Sequence, residues 1–197
     1  MRNLNVTAVA VETEKIVIDK NEAAVRLKIP RSYTDETITR CEENLRRVLT
    51  CKYAYTKVSV EIKADNICDL GFGDIESRDL VNALDGCKQA YILGVTIGVG
   101  ADRLISRLAL TSPAESFITD ALASAAAESL CDYADNLLRG EGEKPFRYAP
   151  GYGDMPLSYQ PAVLDVLNAD YTLGITLNNS LLMTPMKSIT AIMGIKE

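Results

Sequence analysis

The chain has 197 residues, 47% of them hydrophobic and 24% charged, and its 27 acidic groups outnumber its 21 basic ones for a formal net charge of −6. This is the composition of a globular protein able to bury a sizeable core, and the acidic balance excludes the clustered Lys and Arg that phosphate neutralisation demands, so no nucleic-acid partner is expected. There is no histidine, which excludes Ser-His-Asp and Cys-His catalysis and any histidine ligation of a metal.

Residues 1–18 read as extended, with Val6, Ala8 and Ala10 alternating with Thr7, Val9 and Val11. The apolar run is short and meets Glu12 and Glu14. No signal peptide is expected, therefore, and no stretch is long enough to span a bilayer. Asp19 can cap a short helix through about Leu27 that Pro30 ends. Thr34 is a good N-cap for a helix from Asp35 to about Leu49, where Ile38, Cys41, Leu45 and Val48 have helical spacing. Tyr53 to Ile62 reads as one strand, with Val58, Val60 and Ile62 alternating strictly. Asn66 to Asp74 reads as a turn-rich connection. Ser77 predicts an N-cap for a helix through Leu84, closed by Asp85-Gly86.

Ala90 to Val99 has the composition of a buried strand. Gly94, Gly98 and Gly100 at its end invite a phosphate-loop reading, but the run is not G-x-G-x-x-G and lacks the Lys-Ser/Thr of a P-loop. Close backbone packing explains the same glycines. After a short helix over Ala101–Leu108, Ser112-Pro113 opens the longest helix, to about Arg139. There Pro113 stands at N1, and Ser112 and Glu115 are spaced for a capping box. Ile118, Leu122, Ala125, Leu130, Tyr133 and Leu137 form its apolar stripe, and its many alanines predict close packing of another element. Gly140-Glu141-Gly142-Glu143 ends it, Pro156 begins a helix through about Leu167, and the last thirty residues read as two or three short strands.

Cys41, Cys51, Cys68, Cys87 and Cys131 form no Cys-x-x-Cys pair. Their odd number and scattered spacing argue against a disulfide framework and against zinc or iron–sulfur ligation. Buried thiols in a reducing compartment, the cytoplasm, are expected instead, with no metal site. Asn5-Val6-Thr7 and Asn178-Asn179-Ser180 match the glycosylation pattern, which has no consequence without a secretory route. No linker, repeat or low-complexity tract divides the chain, so residues 1–197 are expected to form a single α+β domain. Strand-like and helix-like segments follow one another without regular βαβ alternation, which predicts a largely antiparallel sheet flanked by helices.

The most informative stretch is Arg147-Tyr148-Ala149-Pro150-Gly151-Tyr152-Gly153-Asp154. It sets a guanidinium, two phenols and a carboxylate around a Pro-Gly turn, where Pro150 fixes its own φ and Gly151 is free to take φ > 0. Arg147 suits a bidentate grip on a carboxylate or phosphate. Taken alone, such an arginine is more often a surface charge, and Glu128, off the apolar stripe of the long helix, reads from helix geometry more often as a solvated carboxylate. After a helix-like segment come Gly174-Ile175-Thr176-Leu177-Asn178-Asn179-Ser180-Leu181-Leu182-Met183-Thr184-Pro185 and then Lys187-Ser188-Ile189-Thr190-Ala191.

That order resembles the activation domain of cobalamin-dependent methionine synthase: an Arg-x-x-Pro-Gly-Tyr turn, a helix, a Thr-Leu-x-x-Ser-x-x-Met-x-Pro stretch and a Ser-rich strand. The resemblance is specific from about Phe146 to Gly194 and reaches back through the Ala-rich run Asp120–Leu130, making 113–194 the motif-bearing part. It implies a site for S-adenosylmethionine in which Arg147 holds the ligand, Tyr152 matches the family tyrosine and Glu128 matches a glutamate of the Ala-rich helix. Ala149 and Gly151 would offer backbone to adenine or ribose, and no residue acts as a catalytic acid or base. It further implies a free-standing reactivation component acting on cobalamin carried by a partner, a corrinoid protein or methionine synthase subunit, with reduced flavodoxin or ferredoxin as electron donor. Three departures stand beside it. The family's acidic, aromatic contact near its N-terminal end has no match. Its C-terminal tyrosine would lie beyond Glu197, which predicts a site that is incomplete, weaker or finished by another subunit. Asp154 is not the usual residue after the turn. The alternative is a non-catalytic module that binds a corrinoid protein and has kept the fold but lost the ligand site.

Overall fold

A computed structural model describes residues 5–28, 30, 36–140 and 144–196. Strand β1 (Thr7–Val11) is followed by helix α1 (Lys20–Leu27), whose N-cap Asp19 accepts from the amides of Asn21 and Glu22. Lys28, in the left-handed region at φ 57°, stops α1 ahead of Pro30. Helix α2 (Glu36–Arg46) follows; its expected start at Thr34 and Asp35 lies outside the described residues. Strand β2 (Cys51–Ser59) then runs antiparallel between β1 and β6 (Gln89–Thr96), and β6 pairs with β9 (Ser188–Ile195) to give a four-stranded sheet of order β1-β2-β6-β9.

The single strand expected over Tyr53–Ile62 is in fact divided. It leaves the main sheet after Ser59, and Ile62 belongs to β3 (Glu61–Ala64). With β4 (Ile67–Asp69) and β5 (Asp74–Glu76), β3 makes a separate three-stranded meander in what reads as a turn-rich connection. Strands of three residues are too short for alternation to register. What anchors them is burial of Cys68 and Ile75. Ser77 caps α3 (Arg78–Ala83) through Leu80 N–H, 3.0 Å, as its sequence position predicts.

Helix α4 (Val99–Thr111) begins earlier than expected, taking Val99 from the strand. The glycines before and within it are packing residues. A Cβ on Gly94 would meet Leu167 and Leu173 at 2.9 Å, one on Gly98 would meet Thr50 at 3.0 Å, and one on Gly100 would collide with the Val48 carbonyl oxygen. Helix α5 (Pro113–Arg139) is the 27-residue spine of the molecule. The expected capping box is not made: Ser112 gives no side-chain cap, and Glu115 instead pairs with Arg40 at 2.7 Å, a cross-helix partner that outcompetes a local one. Leu137, at the end of the apolar stripe, is exposed. Ala121, Ala123, Ala125, Ala126 and Ala127 are buried, and their small side chains let α1, α2, α4 and the sheet close around α5. Helices α6 (Gln160–Val166) and α7 (Ala169–Thr172) and the two-stranded β7 (Thr176–Leu177) and β8 (Met183–Thr184) complete the chain.

Both faces of the sheet are covered, and period-two alternation sorts the core. Tyr53, Leu93, Val95, Ala191 and Met193 face α5, while Ala54, Val58, Ala90, Ile92 and Ile192 face the side built from α3, α6 and α7. Each buried Leu, Ile or Val stabilises the fold by roughly 1.5–3 kcal/mol. Register is therefore strongly held, since a slip of one residue would exchange the two cores. Helices and an antiparallel sheet make this an α+β fold, as the element order predicts. Among the described residues, no helix is long and apolar enough to cross a membrane.

Candidate functional site

The Pro-Gly turn is held from both sides. Tyr152 N–H donates to the Ala149 carbonyl at 3.1 Å, and Gly151 has φ 85°, the signature of a type II turn with Pro150 at its second position. Gly151 N–H donates to Met155 at 2.9 Å, so the loop folds back on itself. Asp154, beyond the turn, caps α3: it accepts from Ser77 Oγ and from the amides of Arg78 (2.8 Å) and Asp79 (3.3 Å). The bond from Ser77 holds the Asp154 carboxyl below the usual carboxylate range. Its departure from the family pattern is thus accounted for by a local structural role.

Upstream, Tyr148 exchanges both backbone hydrogen bonds with Ile192 of β9, at 3.0 and 2.6 Å, and so fixes the segment along the free edge of the main sheet. Its ring is buried, and its hydroxyl donates to Asp79 at 3.1 Å; burial first, and that carboxylate second, push its pKa up to about 12. Arg139 secures the other end. Its guanidinium donates to both Asp135 oxygens, 2.5 and 2.8 Å, and to the carbonyls of Pro145 and Gly194, 2.9 and 3.0 Å. Burial alone would raise Asp135, but the Arg139 hydrogen bonds outweigh it and hold the carboxyl below its ordinary range.

These anchors place Arg147 over α5. Its guanidinium lies 2.6 Å from Asp132, 3.7 Å from Asp135 and 3.9 Å from Glu128. The Arg147 side chain is 25% exposed and that of Glu128 39%. Burial raises the Glu128 carboxyl above its usual range, helped by the nearby charges of Glu22 and Asp132 and opposed by Arg147. Phe146, Tyr148 and Tyr152 form an aromatic cluster with ring centroids 5.6–6.3 Å apart, and the rings of Phe146 and Tyr152 are largely open to solvent.

A cavity of about 540 Å³ opens between α5, this segment and β9, well within the size range of small-ligand sites. Glu128, Arg147, Ala149 and Tyr152 line it together, with Cys131, Asp135, Arg139, Phe146 and Thr190. Gly151, also picked out in the sequence, is not on its wall; it makes the turn that presents Tyr152. Burial pushes the Cys131 thiol up to about 12, so it faces the cavity as an uncharged, unreactive group. Sequence reasoning missed Asp132 and Asp135. Their signal was the spacing Glu128, Asp132, Asp135 along one face of a helix. Such a strip of acids calls for a cation, and no residue near it in sequence names Arg147 as that cation. Among the described residues, no group of three or more Cys, Asp or Glu side chains could hold a metal ion.

No protein-family model and no curated protein sequence matches the chain. Among solved structures, it is similar to the MetH reactivation domain bound to AdoHcy, with a TM-score of 0.74 over 98% of this chain and 79% of that one, at 15% sequence identity. The chain has the fold of the MetH reactivation domain, the methionine synthase activation fold that the motifs around Arg147 imply.

Proposed function

We propose that this protein binds S-adenosylmethionine in the Arg147 cavity and serves as a reactivation component for cobalamin-dependent methionine synthase. The reading is carried by the convergence of Arg147, Glu128, Ala149 and Tyr152 on one cavity in a fold shared with a domain whose structure holds AdoHcy. The lining fits the ligand's chemistry group by group. Arg147 takes the carboxylate in a fork, Glu128 faces the ammonium, and Phe146 and Tyr152 supply ring faces for the sulfonium or the adenine. Ala149 offers backbone. When bound, S-adenosylmethionine supplies a methyl group to the cobalt of a corrinoid carried by a partner and reduced by flavodoxin or ferredoxin. This chain's share is to orient the ligand and exclude water, which needs no proton transfer and suits a protein without histidine. The exposed rings of Phe146 and Tyr152 beside the cavity mouth are the face on which the corrinoid protein docks. The encounter is brief, through a modest interface in a cytoplasmic setting.

One observation favours the second reading, a corrinoid-protein module without a ligand: Asp132 already neutralises Arg147 at 2.6 Å. Calorimetric titration of S-adenosylmethionine separates the two, because only the first requires saturable binding. Methyl transfer to a reduced corrinoid protein, followed by absorbance, then tests the reactivation role. A rate equal to that without this protein, across several corrinoid partners, would sink it.

A further inference from the structure

The acids around Arg147 come from one strip of α5 and differ in what they are free to do. Asp135 is buried and bound through both oxygens to Arg139, with Lys144 at 3.8 Å. Glu128 stands 3.9 Å from Arg147. Asp132 makes the close contact, 2.6 Å, yet its side chain is 63% exposed. It can turn away from Arg147 into water without emptying any part of the core. The formal charges of this group cancel, with Glu128, Asp132 and Asp135 against Arg139, Lys144 and Arg147.

Consider what a ligand does to that balance. One that brings only a carboxylate must take the guanidinium from Asp132. The group then carries an excess negative charge, and Asp132 is left unpaired close to Glu128. One that brings a carboxylate and an ammonium on the same carbon restores both partnerships, the carboxylate on Arg147 and the ammonium on Asp132. The charge of the group is unchanged, and only the order of pairing differs.

We infer that Asp132 is a specificity-determining residue, which makes the Arg147 site select a zwitterionic amino-acid head group over plain carboxylates. The inference rests on the reading that Arg147 grips a ligand carboxylate. It gives a different meaning to the Asp132–Arg147 pair: the resident carboxylate is not a sign of a lost site but a placeholder that any ligand must replace with an ammonium of its own. Because Asp132 is largely exposed, the discrimination it supplies is modest.

The test compares the protein with Asp132→Asn, titrating each with S-adenosylhomocysteine and with its analogue bearing hydrogen in place of the α-amino group. The exposure of Asp132 makes the variant safe for folding, which far-ultraviolet circular dichroism checks. The unaltered protein is expected to prefer the amino ligand. In the variant the ratio of the two dissociation constants is expected to shrink roughly fivefold, the weight of an exposed ion pair, with the deaminated ligand binding tighter than before. If both ligands bind and the ratio is the same in both proteins, the Asp132 inference is overturned while the Arg147 reading stands. If neither ligand binds either protein, both fall together.

Discussion

The floor and the rim of the cavity each hold an arginine facing carboxylates of α5, and they behave oppositely. At the floor, Arg139 has a side chain only 4% exposed, and its donors are committed to Asp135 and to two backbone carbonyls. At the rim, Arg147 makes one close ion pair, with a carboxylate that is mostly in water, and two longer ones. Saturation with burial makes an arginine part of the fold, because removing it strands a charge. Looser pairing beside open space leaves an arginine able to change partners, as binding requires.

The floor gives the largest expected effect. Arg139→Ala strands Asp135 and releases Pro145 and Gly194 from their clamp, and is expected to lower stability by about 3–5 kcal/mol in urea unfolding. The effect carries a pH signature. The Asp135 carboxyl is held below its ordinary range, so its contribution is complete above the unfolded-state pKa of about 3.9 and is lost as pH falls through the lower folded-state value. The gap between the two proteins is therefore expected to be widest near neutrality and to narrow as the pH falls into the acid range. Equal midpoints at pH 7 would erase the distinction between floor and rim.

Arg147→Ala should show the converse pattern. Loss of a charged hydrogen bond, roughly 1.5–3 kcal/mol, is expected to weaken S-adenosylmethionine binding by about one to two orders of magnitude in calorimetry. Stability is expected to change by less than about 1 kcal/mol, since the pairs lost are part-exposed. A variant that unfolds but binds whatever remains folded would place Arg147 with the floor. The smallest effect sharpens the rim further. Burial holds Glu128 above its usual range, so its ionisation opposes folding: the stability it permits is complete below the unfolded pKa and declines as pH rises through the folded value. Glu128→Gln is expected to raise the urea midpoint slightly at pH 7 and leave it unchanged near pH 3.5, an effect kept below about 1 kcal/mol by its exposure.

Legibility in the sequence followed the range of the interaction. Asp19 and Ser77 cap their helices where local pattern puts them, and Pro113 opens the long helix whose alanines announce close packing. These are contacts within a few residues or periodicities over many turns. The β3–β4–β5 meander escaped because its strands are shorter than a detectable repeat. The Ser112–Glu115 box failed because Arg40, distant in the chain, offered Glu115 a charged partner. At the cavity, Arg147, Ala149, Tyr152 and Glu128 were readable through family-like spacing, whereas Asp132 and Asp135 acquire meaning only when the fold carries Arg147 back over α5.

The two-way bond between Tyr148 and Ile192 has a consequence for how this segment can evolve. In an extended run, neighbouring side chains point to opposite sides. With Tyr148 pinned and its ring buried in the core, where it also borders the cavity, Arg147 and Ala149 on either side of it are committed to the cavity wall. The bridge thus works as a reading frame. Substitutions at 147 or 149 vary what is presented to the cavity without disturbing the core, whereas substitutions at 148 disturb the core and the cavity wall together. Insertion of one residue between Arg147 and Tyr148, even a conservative one, would shift the frame, setting a phenol where the guanidinium belongs or a charge where the core is packed.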